Sequence, residues 1–62
     1  MKIIRISPFS GKINTMNLPM SVAQLLEWHR GNTPIQEVMP ELSPDEREFI
    51  MTGITPEEWA EL

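Results

Sequence analysis

The chain has no cysteine in its 62 residues, so neither a disulfide framework nor a thiolate metal site is available to staple the fold. It has a single histidine, His29. A metal centre or an activated nucleophile needs more ligands or a paired base than that, so neither metal nor cofactor is expected. Gly11, Gly31 and Gly53 lie far apart, which excludes a glycine-rich phosphate loop. No stretch approaches the ~18 apolar residues of a membrane span, and the apolar run near Met1 is too short for a signal-peptide core. The expected setting is the cytoplasm, with no membrane partner. Positive charge is scarce: five basic residues against nine acidic give a net charge of −4. That balance opposes approach to nucleic-acid phosphates, so nucleic acid is disfavoured as a partner.

The length sets its own limit. A chain of this size buries only roughly 60% of the surface it would expose when unfolded, and its stability is correspondingly marginal. It reads as one small domain, residues 1–62, whose stability self-association or a partner would raise. The six prolines punctuate it at helix starts between apolar clusters, which is not the pattern of disorder.

Four of the five basic residues lie in the first 30 positions, whereas Glu37 to Glu61 holds eight of the nine acids. Ile3, Ile4 and Ile6 favour extended backbone, as does the run Lys12 to Leu18. Between them, Ser7-Pro8-Phe9-Ser10-Gly11 supplies a proline for a turn and a glycine for the left-handed residue that closes a longer hairpin loop. The alternation is imperfect: Ile3 falls opposite Ile4 and Ile6, and Ile13 opposite Met16 and Leu18, so both faces are partly covered or a bulge intervenes.

Ser21 and Gln24 form a capping box ahead of Val22, Leu25, Leu26 and His29, a helical stripe that ends at Gly31. Three further segments repeat one helix-start device: Thr33-Pro34-Ile35-Gln36, Ser43-Pro44-Asp45-Glu46 and Thr55-Pro56-Glu57-Glu58. Each reads as a Ser/Thr cap, a proline at the first helical position and Glu/Gln at the third. Pro40 confines the first to about Ile35–Met39. The second runs to Gly53 and buries Phe49 and Ile50, with Leu42 just before it. The last is a turn or two, anchored by Trp59 and Leu62, with Ile54 placed to staple against Trp59. The fold class is therefore α+β, a β-hairpin over residues 1–19 and a helical part over residues 20–62 with three to four short helices.

Carboxylate pairs such as Glu57 and Glu58, or Asp45 and Glu46, could act as acid and base only if burial or close like charge shifted their pKa values. Nothing in the pattern suggests burial, and capping explains them, so the chain reads as not an enzyme. The Ser/Thr-Pro dipeptides match proline-directed kinase sites, but capping suffices for them too. Lys2, Arg5 and Lys12 could share one end of the hairpin as a small basic patch. Trp28 projects from the flank of the first helix and, if exposed, is the best candidate anchor. The five methionines suit either core or an adaptable partner surface. Candidate partner-binding residues are Trp28, His29, Trp59, Glu57, Glu58 and Glu61.

The stretch Leu42-Ser43-Pro44-Asp45-Glu46-Arg47-Glu48-Phe49-Ile50-Met51-Thr52-Gly53-Ile54-Thr55-Pro56-Glu57-Glu58-Trp59 resembles the C-terminal signature of small proteins encoded by bacteriophages and prophages, and Ile6 to Lys12 resembles the start of the same group. The resemblance implies a phage or mobile-element origin and a bacterial cytoplasm, or a virion, as the setting. It implies no activity, ligand or catalytic residue. The expected function is a non-enzymatic accessory protein that binds and modulates a host or viral protein. The alternatives are a virion or assembly component packing as a repeated homo-oligomeric subunit, and an acidic DNA mimic using Glu37, Glu41, Asp45, Glu48, Glu57, Glu58 and Glu61.

Overall fold

Two isoleucine-bearing strands, β1 (Lys2–Ile6) and β2 (Ile13–Asn17), pair antiparallel. The register sets Ile3 against Met16, Arg5 against Asn14 and Ile6 against Ile13, with no bulge. The structure, a computed structural model, describes all 62 residues. The loop between the strands is built around Ser7, which is buried; its Oγ accepts from the Phe9 and Ser10 amides at 3.1 and 3.2 Å. The Ser7 N–H closes the loop onto the Lys12 carbonyl at 2.9 Å, and Gly11 takes the left-handed conformation with φ 75°.

Four helices follow: α1 (Val22–His29), α2 (Ile35–Val38), α3 (Pro44–Thr52) and α4 (Pro56–Trp59). The hairpin followed by short helices is the α+β architecture expected. Reciprocal capping boxes start α1, α3 and α4, through Ser21 with Gln24, Ser43 with Glu46, and Thr55 with Glu58. The expected box at Thr33 and Gln36 does not form. Pro34, extended at ψ 148°, is itself the boundary residue of α2, and no side chain caps it. One turn closed by Pro40 has little to gain from a cap; burial of Ile35 and Met39, one helical turn apart, decides where it sits.

The core is one cluster drawn from both halves: Ile3, Leu18, Met20, Ile35, Met39, Leu42, Phe49 and Ile50, with Met16, Leu25, Trp28 and Val38 packed at its border. The expected stripe on α1 is corrected by the structure. Of the four expected positions only Leu25 turns inward, joined by Gln24 and Trp28, whereas Val22, Leu26 and His29 are exposed. Gln24 explains the rotation, since its Nε2 donates to the Val38 carbonyl at 3.0 Å and pins that face to α2. Ile54 is buried whereas Trp59 is exposed. No helix is long and apolar enough to cross a membrane.

Candidate functional site: the hairpin surface and its cleft

Strand alternation gives the hairpin two unlike faces. Ile3, Arg5, Asn14 and Met16 face the helices. Lys2, Ile4 and Ile6 face away with Ile13, Thr15 and Asn17, and nothing covers them: Ile4, Ile6 and Ile13 are 58%, 65% and 72% exposed. Three β-branched apolar side chains on one open face of a chain this small are a surface feature that the core does not account for.

Beside the hairpin runs a cleft of about 290 Å³. Met1, Lys2, Ile3, Ile4 and Arg5 form one wall, and Leu25, Trp28, His29 and Ile50 the other. No residue of β2 reaches it, so it follows the side of β1 that β2 leaves free. Trp28 and His29 sit with ring centroids 5.4 Å apart, tilted by 44°. The ionisable groups of the residues along the cleft are the side chains of Lys2, Arg5 and His29 and the amino group of Met1, which donates to the Leu18 carbonyl at 2.6 Å, with no carboxylate among them. In a chain of net charge −4, this surface is locally basic. Arg5 also donates to the Ile50 carbonyl, which ties β1 to α3.

Glu58 is at the other end of the hairpin, and its position overturns the expectation of unburied carboxylates. It is only 8% exposed. The Ser10 hydroxyl donates to Oε2, while Asn14 Nδ2 and the Thr55 amide donate to Oε1 at 2.8 and 3.0 Å. These donors, the Ser10 hydroxyl first and the Thr55 amide second, outweigh the opposing effect of desolvation and hold the carboxyl down at about 2, from 4.5. Asn14 Nδ2 also donates to the Gly53 carbonyl at 3.0 Å. Glu58 is thus an ionised clasp between the hairpin loop and α4. A carboxylate so fully occupied is neither a proton donor near neutral pH nor free to meet a partner, and it leaves the candidate partner-binding set.

Of the other candidates, Trp28 and His29 come together in the cleft, with Trp28 half-buried on its wall. Trp59, Glu57 and Glu61 are exposed on or just after α4 and line no part of the cleft. The basic patch is also corrected: Lys2 pairs with Asn17 at the open end of the ladder, Lys12 follows the loop at the opposite end, and Arg5 turns inward. Ile4, Ile6 and Ile13 were not among the candidates, although isoleucines on both faces of one hairpin were the signal that would have found them. No three His, Cys, Asp or Glu side chains gather where they could hold a metal ion. Compared with family profiles, with curated proteins and with solved structures, the chain matches none.

Proposed function

We propose that this chain is a non-enzymatic interaction module that binds and modulates another protein through its hairpin. The observation that carries the reading is the open outer face, where Ile4, Ile6 and Ile13 stand uncovered beside a cleft lined by Trp28 and His29. Exposed apolar surface of this kind, with an aromatic pocket at its margin, is what a protein partner buries. The phage or prophage setting rests on the resemblance of Leu42 to Trp59. The DNA-mimic reading loses support, because Glu58, one of the acids it needs at the surface, is turned inward.

Packing of identical copies would cover the same face, and one experiment separates the two. Tagged wild-type chain and the double variant Ile6→Thr, Ile13→Thr are used to capture proteins from bacterial lysates, with and without phage infection, and the eluates are read by mass spectrometry. The expected result is one stoichiometric partner protein that the double variant fails to retain while its circular dichroism stays that of wild type. Recovery of only its own copies, or only of virion proteins, would put the structural-subunit reading in its place.

A further inference from the structure

We infer that the free edge of β1 accepts an extended, acidic segment of the partner protein as a third strand, seated in the cleft against α1; the inference rests on the interaction-module reading and names its binding mode. The phase of the ladder carries it. Leu18 donates to the Met1 carbonyl at 2.8 Å and Ser7 to the Lys12 carbonyl at 2.9 Å, so the odd-numbered residues of β1 spend their main-chain groups on β2. Antiparallel pairing alternates, and the N–H and C=O groups of Lys2 and Ile4, with the N–H of Ile6, therefore point out of the other edge. None of them has a hydrogen-bond partner within the chain.

An edge of this kind is a template for another strand unless something blunts it. Here the block comes late. The backbone of Gly53 crosses the Ile6 carbonyl so closely that a Cβ there would lie 2.9 Å from the oxygen, and this closes the edge at its loop end. From Lys2 to the Ile6 amide it stays open, long enough for a short segment to bond at alternate residues. The edge of β2 is open as well, but no cleft lies along it. Beside β1, alternate side chains of an added strand would enter the space walled by Leu25, Trp28 and Ile50, while the others would extend the Ile4 and Ile6 face. Main-chain bonds with a pocket for alternate side chains is the division of labour of strand addition.

Charge selects the occupant. Lys2, Arg5 and His29 line the cleft with no acid among them, so a segment alternating carboxylate and apolar side chains is complementary and a basic one is repelled.

The test uses the full chain and three blocked octapeptides: alternating glutamate and valine, alternating lysine and valine, and the glutamate–valine peptide N-methylated at every second amide. Binding is followed by amide chemical shifts at up to about 1 mM peptide, the weak end of measurable affinity. The glutamate–valine peptide is expected to shift Lys2 to Ile6 and Leu25 to His29. The other two peptides, and the Ile4→Pro chain with the first peptide, are expected to bind at least about tenfold more weakly. Proline is tolerated on an edge whose N–H faces solvent, and the N-methylated peptide leaves the protein itself untouched. Equal binding of the N-methylated or the lysine–valine peptide, or no shifts along β1, overturns the inference. Capture of the cellular partner by Ile4→Pro at wild-type yield overturns strand addition but leaves the module reading standing. Failure of the wild-type chain to capture any partner removes that reading on its own readout.

Discussion

Gly53 is constrained twice. It ends α3 in the left-handed conformation, φ 80°, and its Cα lies against β1, where an added Cβ would come within 2.9 Å of the Ile6 oxygen and 3.1 Å of Arg5 Cβ. Gly31 has a similar φ of 78° but open space around it. Gly31→Ala should therefore cost only the left-handed strain of about 1 kcal/mol, whereas Gly53→Ala should cost roughly 2–4 kcal/mol because backbone must also shift. Denaturant unfolding of the two variants checks the difference, and equal costs would mean that the contact with β1 is loose. Glu58 gives a second residue-scale expectation. Its folded pKa is depressed, so its contribution is fully present above the unfolded value of 4.5 and is lost as pH falls through about 2. Other carboxylates titrate in that window too, so the comparison is with Glu58→Gln. The variant should be less stable at neutral pH, and its stability should fall less than that of wild type between pH 4.5 and 2. Matching acid curves would show that the clasp does not hold the charge. Neither the contact of Gly53 with β1 nor the burial of Glu58 was legible in the sequence, where Glu58 looks like any capping glutamate; Ser10 and Asn14, which hold it, are more than forty positions away.

Caps were legible at the scale of elements because they are local. Three of the four expected boxes form, each within four consecutive residues, and so does the left-handed stop at Gly53. What the sequence could not carry was anything fixed by one element meeting another. The rotation of α1 depends on Gln24 reaching Val38, and the missing cap at Thr33 depends on the burial of Ile35 and Met39. A pair of substitutions separates the two kinds of helix start. Ser43→Ala removes an acceptor for the Glu46 amide, at 3.2 Å, and should cost about 1 kcal/mol. Thr33→Ala removes no cap and should be close to neutral. Thermal or denaturant unfolding reads both, and a Thr33→Ala loss as large as that of Ser43→Ala would mean that α2 is capped after all.

For the molecule as a whole, a standard interface takes about 800 Å² from each partner, roughly a fifth of the 4111 Å² that the chain exposes. The three isoleucines on the outer face cover too little for that on their own. Ile4 belongs both to that face and to the wall of the cleft, so one partner can span the two and fill the area. Glu57 and Glu61, with Trp59 at 43% exposure, form a separate surface away from the cleft. The hairpin and its order in the chain were legible from residue types and turn chemistry. Which of its faces stayed open was not, because burial on the inner face is decided by helices that arrive later in the chain. The most direct test of the central claim is photocrosslinking in cells, with p-benzoylphenylalanine in place of Ile13 in one chain and of Glu57 in another. A specific adduct to one partner protein from position 13, and none from position 57, is the predicted result. Adducts from position 57 alone would contradict it and move the binding surface to α4.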